Sequence, residues 1–434
     1  MQKVCIAAIL LVLTFQSFAQ VSSKLQDKFD QQVNAIESQV IEWRRHFHEN
    51  PELSNREVKT GEKIAELLRS FGIEVTYPVA KTGVVGLLKG GQPGPVVALR
   101  ADIDALPVTE RGNLPFASKQ RSTFNGQETG VMHACGHDAH TAMLLGVAQI
   151  LARNKADLKG TVKFIFQPAE EAPPAGEEGG APLMIKEGVL ENPKVDVIFG
   201  LHIQSLIPLG TLNYRPGPFM ASPTGFTIKV KGKQTHGATP WDGVDPIVVS
   251  SQIVLGLQTI VSRQTELTKL PAVLTIGTIQ SGIRYNIIPE EAMMAGTTRA
   301  FDADMQKILH EKLVLTATRI AESSGATAEV KFTSGYPVTI NDPALTEKMV
   351  PTLRKAAGDK NVFLVNPVTM GEDFSSYQEK VPGMFFFLGA YDQSAKFEVQ
   401  PAHHTPNFFI DERAFKLGVR SMVYLTLDYM YAKK

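Results

Sequence analysis

The chain has 434 residues, with 44 Lys and Arg against 44 Asp and Glu, 43% hydrophobic and 20% charged. That length suggests two domains, and the composition is that of a globular protein with sizeable cores, which excludes a disordered, collagen-like or disulfide-stapled chain. A net charge of zero argues against non-specific nucleic-acid binding, which needs a positive surface to displace counterions from phosphates.

At the N-terminus Lys3 is followed by an apolar run over 4–13 and then by Ser17-Phe18-Ala19, small residues at the spacing that a signal peptidase accepts. The run is about 10 residues, half of the roughly 20 that a membrane-spanning helix needs. The expectation is a leader over 1–19, cleaved after Ala19, and a mature chain that is exported, periplasmic or secreted, with no membrane span. Cleavage would remove Cys5 and leave Cys135 as the sole cysteine, so no intramolecular disulfide is expected.

From there to about residue 210 amphipathic helical stretches, such as 61–71, alternate with short apolar runs at 96–99, 161–166 and 195–200, the pattern of an α/β sheet with mostly parallel strands and helices on both faces. Each run ends in polar groups: Arg100-Ala101-Asp102-Ile103-Asp104, Gln167-Pro168-Ala169-Glu170-Glu171 and Leu201-His202. Ligands of open α/β sheets gather outside the carboxyl ends of the strands, so the three groups are expected to share one cleft. Arg215-Pro216-Gly217-Pro218 reads as a hinge. Beyond it the pattern predicts a strand at 226–230, a helix at 245–262, strands at 272–279 and 292–299, a helix at 302–323 and a strand at 328–332, the ferredoxin-like order. A buried strand at 383–388 and a closing helix at 411–430 resume the α/β character. The architecture read from this is a catalytic α/β domain over 20–216 and 334–434, interrupted by a smaller ferredoxin-like α+β domain over 217–333.

The densest chemical cluster is Met132-His133-Ala134-Cys135-Gly136-His137-Asp138-Ala139-His140, which gathers three of the chain's 10 histidines around the cysteine. Thiolate and imidazole suit zinc and other divalent transition metals, and the nearby carboxylates would accept manganese or cobalt. Cys135 and His137, two apart in an extended turn, can point the same way, and Asp138 can cap the helix that follows. His133 and His140 are read as orienting or capping residues, with direct ligation as the alternative. Of the adjacent Glu170 and Glu171, one can hold a metal while the other accepts a proton from a metal-activated water. His202 and His404 complete a candidate ligand set drawn from four segments. There is no His-Glu-x-x-His helix, Gly-x-Ser-x-Gly elbow or Gly-rich phosphate loop, so hydrolysis by a metal-activated water is the reaction left.

These groups, with Leu99 to Pro107, His236-Gly237-Ala238-Thr239-Pro240, Asn286-Ile287-Ile288-Pro289, Gly296-Thr297-Thr298-Arg299, Gly371-Glu372-Asp373-Phe374 and His404-Thr405-Pro406, run in one order along nearly the whole mature chain. In them the chain resembles the di-metal amidohydrolases related to aminoacylase and carboxypeptidase G, in the subgroup of hippurate hydrolase and indole-acetyl-amino-acid hydrolase. The resemblance implies that Cys135, His137, Glu171, His202 and His404 bind two divalent ions per chain (zinc, manganese, cobalt or nickel), with Cys135 bridging. It implies Glu170 as general base and Asp104 as the aspartate that steadies a ligating histidine. The inserted domain becomes a lid and homodimerisation domain. From it His236 reaches a partner's cleft to stabilise the oxyanion, and Asn286 and Arg299 hold the substrate carboxylate. Such roles make chemical sense, since arginine grips a carboxylate bidentately and a donor at a developing oxyanion is worth about 3–4 kcal/mol in other hydrolases.

Two features depart from the family pattern: Trp241 stands where many relatives carry a histidine, and the Gly371-Glu372-Asp373 loop is one residue shorter. The favoured reading is an exported metal-dependent amidohydrolase acting on small N-acyl amino acids. A dipeptidase, carboxypeptidase or peptide deacylase with the same centre is the second reading, and a non-catalytic ligand-binding protein the third, disfavoured because a binder has no use for Glu170 as proton acceptor.

Overall fold

The strands Lys159–Gln167, Gln92–Asp102, Val197–Pro208 and Gly383–Tyr391 lie side by side and run parallel in the computed structural model, which describes residues 23–333 and 335–432. Near-continuous burial is what parallel strands covered on both faces require, and Gly383–Tyr391 is buried along all but its last residue. The hairpin Glu74–Val79/Gly83–Lys89 extends one edge antiparallel, and Leu212–Tyr214 with Val362–Leu364 extends the other, giving an eight-stranded sheet. The leader expected over 1–19 lies outside the described residues. Among those residues no helix is long and apolar enough to cross a membrane.

Helices Ser23–Glu49, His137–Arg153 and Phe415–Tyr431 pack against one another on one face of this sheet, around Val40, Leu145, Phe199 and Val423. On the other face Gly180–Lys186 and Ser375–Gln378 cover Ile165, Ile198 and Phe385. Strand register aligns Asp102 with Gln167, and His202 with Phe387, so the polar groups that follow the apolar runs emerge along one edge.

The stretch between forms a second layer with its own core. Strands Ser222–Lys231, Val273–Ser281, Glu291–Ala300 and Thr327–Phe332 make an antiparallel sheet in which Glu291–Ala300 and Ser222–Lys231 are central. Helices Pro246–Thr259 and Ala303–Ser323 bury Ile253, Leu257, Leu309 and Leu313 against Phe226, Ile228 and Val230. Both begin where the sequence supplies an acceptor for free amides: Asp245 Oδ1 accepts from Ile247 N at 2.8 Å and Asp302 Oδ1 from Met305 N at 2.7 Å. The order of strands and helices is the ferredoxin-like one read from the sequence. The chain enters and leaves this layer through Gly217–Met220 and Thr339–Asn341, which pair with each other.

Three local details differ from expectation. The helix predicted to reach 262 ends as α-helix at Thr259 and closes with the wider turn Ile260–Gln264. The closing helix starts with the 3-10 turn Glu412–Ala414, capped by Asp411, before Phe415–Tyr431. Asp138 is no cap, because the helix already begins at His137; its buried carboxylate pairs with Arg44 at 2.9 Å and His48 at 2.7 Å.

Phe385 stacks on Phe374 with ring centroids 4.8 Å apart, over Gly200, where an added Cβ would come within 2.8 Å of the Phe385 ring. Phe385→Ala is expected to cost about 3–5 kcal/mol, read as a lowered urea midpoint, and Gly200→Ala about 1–3 kcal/mol through overpacking.

Candidate metal centre and cleft

Glu170 and Glu171 follow the strand Lys159–Gln167 in a turn flanked by Ala169 (φ 54°) and Ala172 (φ 81°). A left-handed backbone costs a residue with a Cβ about 1–3 kcal/mol and persists only where the surroundings hold it. Three bonds do so: the Ala169 amide donates to Glu57 Oε1 (2.9 Å), the Glu171 amide to Asp104 Oδ2 (3.0 Å) and the Tyr336 hydroxyl to the Glu170 carbonyl (2.7 Å). Cys135 and His137 flank Gly136, whose φ of 94° turns the chain into its helix and whose Cβ, were there one, would lie 2.5 Å from Ile203 Cγ2.

Hydrogen bonds sort the histidines by tautomer. His137 Nδ1 faces the Asp104 carbonyl at 2.9 Å and Oδ1 at 3.1 Å, so it carries the proton, while the buried Nε2 has no partner. His202 repeats this, Nδ1 donating to the Ile203 carbonyl at 2.6 Å. An anchored Nδ1–H with a free Nε2 lone pair is the form in which imidazole ligates a metal. His140 is the reverse: Nε2 accepts the Ile203 amide at 2.8 Å and Nδ1 donates to Asp102 Oδ1 at 2.6 Å, so both nitrogens are spent and the ring orients its neighbours. His133 is buried with both nitrogens unpartnered, and burial pulls its pKa down to about 4.

Around these rings the donor atoms form several overlapping groups, among them Cys135 with His202 and His403, Cys135 with Glu171 and His404, and His137 with Glu170 and Glu171. Cys135 Sγ lies 3.4 Å from His202 Nε2 and 3.3 Å from His404 Nε2, and His404 Nε2 lies 2.9 Å from Glu171 Oε1. Donor atoms of His137, Glu170 and Glu171 lie within 4.8 Å of one another. Glu171 is common to the groups of His404 and of His137.

Charge makes the case for cations. Glu57, Asp102, Asp104, Glu170, Glu372 and Asp373 are all buried, and among the described residues one guanidinium serves this group: Arg100 meets Asp102 (2.7 Å), Asp373 (2.8 Å) and Glu372 (3.0 Å). The remainder rely on hydroxyls, amides and imidazoles, and the carboxyls respond. Burial raises Glu372 to about 8 and Asp373 to about 6 in spite of Arg100, and burial with the charges of Glu372 and Glu171 lifts Glu170 well above the usual carboxylate range. Burial opposes a proton on His137, but Asp102 and Asp104 prevail and hold its pKa up at about 10. Burial beside Glu171 and Glu170 pushes the Cys135 thiol well up. A proton on His137 and another on Cys135 thus stand in for positive charge that divalent ions would supply, which is the fit expected of a metal site.

Of the residues singled out from the sequence, Cys135, Glu170, Glu171, His202, His404 and Arg299 line one cleft of about 360 Å³. His137 lies just beneath it, tied to Asp104. Arg299 is on the wall but already engaged, Nε donating to the Thr369 carbonyl (3.0 Å) and Nη1 to the Thr298 carbonyl (3.0 Å) and the Thr297 hydroxyl. His236 and Asn286 are not brought to the cleft of their own chain. They sit on the ribbon Thr235–His236/Ile287–Ile288, where the Gly237 amide donates to the Asn286 carbonyl at 2.9 Å. Sequence reasoning assigned no role to Arg100, Asp102, Glu372, Asp373 or Tyr336. The available signals were Arg100 and Asp102 at the end of an apolar run, where charge has no place in simple core packing, and Glu372 and Asp373 within one of the segments that carry the resemblance.

Residues 98–428 match the family described as Peptidase family M20/M25/M40. The chain belongs to that family. It is 42% identical to thermostable carboxypeptidase 2 of Saccharolobus solfataricus over 93% of this chain and 99% of the relative, and 39% identical to the N-acetyl-L-cysteine deacetylase of Bacillus subtilis over 88% and 86%. The crystal structure of the Bacillus subtilis YXEP protein, described as a dinuclear metal binding peptidase from the M20 family, matches with a TM-score of 0.75 at 38% identity, covering 92% of this chain and 99% of that one. As a member of the M20/M25/M40 peptidases, the chain is a metal-dependent hydrolase acting on amide bonds.

The buried acids give the metal-free protein a pH signature. Glu372 and Glu57 hold protons up to about 8 and His137 up to about 10 in the folded chain, against unfolded values of 4.5 and 6.5. Folded protein therefore binds more protons than unfolded, and stability falls as pH rises from 6.5 to 8. Buried histidines such as His133, with lowered pKa, oppose this trend only below 6.5. Thermal unfolding after chelation should show a falling Tm across that window, and metal add-back should flatten the slope; a slope independent of metal would refute this account of the charge balance.

Proposed function

We propose that the chain is an exported amidohydrolase that releases the amino acid from N-acyl amino acids of the hippurate kind, working as a homodimer. The observation that carries this reading is the coincidence, in one cleft sized for a small molecule, of buried Glu170, overlapping groups of metal-type donors and the guanidinium of Arg299. Names among the relatives support it: N-acetyl-L-cysteine deacetylase, and IAA-amino acid hydrolase ILR1-like 4 of Arabidopsis thaliana at 37% identity.

Cys135, His137, Glu171, His202 and His404 would hold two divalent ions, zinc, manganese, cobalt or nickel. Such ions, when bound, supply Lewis acidity that polarises a scissile carbonyl and acidifies a water. Glu170 takes the proton of the attacking water and delivers it to the leaving nitrogen. Its raised proton affinity suits both halves of that transfer. Asp104 keeps the His137 lone pair turned inward. Arg299 meets the substrate carboxylate from the cleft wall, and Met220, Pro223 and Met370 offer the acyl group an apolar side.

The homodimer forms through the inserted domain, over 217–333. Trp241, Leu255, Ile279, Ile283 and Tyr285 are exposed there, apolar side chains available to an interface. Across that interface His236 and Asn286, which their own cleft does not use, serve the partner's. Export rests on the leader over 1–19.

One observation favours a second reading, a carboxypeptidase or dipeptidase with the same centre: the 42% identity to the Saccharolobus carboxypeptidase. Elemental analysis alongside hydrolysis of hippurate-like acyl-amino acids and of dipeptides, with and without chelator, separates the two. About two ions per chain and chelator-sensitive cleavage of acyl-amino acids are expected. Preference for dipeptides would select the second reading, and no metal under replete conditions would overturn both.

Two variants test individual roles. Glu170→Gln should keep its metal and lose about 10²- to 10⁴-fold in turnover, whereas Cys135→Ala should lose metal; near-normal turnover in the first, or full dinuclear occupancy in the second, would remove the assignment. Metal loading at pH 7 should release about two to three protons per chain, from His137, Cys135 and Glu170, measured by calorimetry in buffers of different ionisation enthalpy.

A further inference from the structure

His403 is absent from the proposed ligand set, yet its ring touches the same sulfur. We infer that His403 is a positioning residue whose Nδ1–H donates a hydrogen bond to the Cys135 thiolate and thereby tunes how strongly that sulfur binds metal; the inference rests on the reading of Cys135 as a metal ligand.

The argument is one of tautomer. The Ser205 amide donates to His403 Nε2 at 3.1 Å. With that lone pair spent, the neutral ring carries its proton on Nδ1, which lies 3.6 Å from Cys135 Sγ and also faces the Cys135 backbone, so the sulfur shares this donor with the main chain. His140 is built the same way, its Nε2 filled by the Ile203 amide. Alternate amides of the strand Val197–Pro208 therefore occupy the lone pairs of two histidines, while His202, on the residue before the first of these amides, keeps Nε2 free and donates through Nδ1 to the Ile203 carbonyl. His403 is thus a donor by construction, in a setting where its neighbours His202 and His404 present lone pairs to the same sulfur.

The ring is also held in place. It packs against Phe408 with centroids 4.9 Å apart and edge-on to His202 at 5.3 Å, and the His404 amide donates to the Ala134 carbonyl at 2.8 Å, tying this loop to the segment that carries Cys135. A hydrogen bond to a metal-bound thiolate draws electron density from sulfur, and partners of this kind are known to tune both affinity and electronic structure at metal sites.

Cobalt-substituted full-length protein reads this directly, because thiolate-to-cobalt charge transfer absorbs in the near ultraviolet. His403→Leu removes the donor, and His403→Asn keeps an N–H close to the Nδ1 position. Wild type and His403→Asn should share the band, and His403→Leu should move it to lower energy with two cobalt ions still bound. An unmoved band in His403→Leu at full cobalt occupancy overturns the inference, as does loss of one ion in both variants, which would make His403 a ligand. A wild-type protein with no thiolate band overturns the ligand reading of Cys135 itself, and is distinguished from the other outcomes by being visible before any substitution.

Discussion

Arg100 is fully buried at the end of the strand Gln92–Asp102 and holds Asp102, Glu372 and Asp373 within 3.0 Å, with Gln167 completing its hydrogen bonds at 2.9 Å. Two of these acids come from a loop that follows the inserted layer, so one guanidinium joins the two halves of the catalytic sheet. It is outnumbered by the carboxylates around it, and taking charge out of water costs several kcal/mol per ion unless it is compensated. The chain accepts that cost on one side of the cleft and leaves unbalanced donors on the other. Burial that would be a fault in a structural core becomes an affinity for divalent cations here.

Position and tautomer follow from the same sheet. Parallel strands deliver their carboxyl ends to one edge, where Asp102 closes its strand and the residues just beyond supply Asp104, Glu170 and Glu171, while His202 sits within its own strand in register with Phe387. The backbone then assigns each imidazole its proton. Amides and carbonyls of Val197–Pro208 set His202 and His140 in opposite forms from neighbouring positions, so ligand and orienting histidines are distinguished by main-chain groups that carry no sequence signal.

This explains what the sequence made legible. The ferredoxin-like order of the inserted layer was readable because its elements stand apart as separate apolar and amphipathic runs, with Ser222–Lys231 alternating along its length, and the cleft was readable because Asp104, Glu170 and His202 stand at or beyond the end of an apolar run. The partnership of Arg100 with Asp373 spans 273 positions and needs the fold itself. So does the difference between His403 and His404, adjacent residues whose rings are separated by a left-handed backbone at His404 (φ 60°) and by an amide 198 positions away. Local pattern carries element identity; long-range pairing carries protonation and charge.

The place of Gly383–Tyr391 in the sheet has a consequence for biosynthesis. This strand, among the last to be translated, inserts between Val197–Pro208 and Leu212–Tyr214, so until it is made the largely buried strand Val197–Pro208 has one edge unpaired. That edge stays open while more than a hundred intervening residues are made, a long interval in which nascent chains of this kind are exposed to mispairing. Closure of the sheet and completion of the Arg100 cluster therefore both depend on the same late stretch of chain, since the loop bearing Glu372 and Asp373 comes just ahead of the strand that seals the sheet.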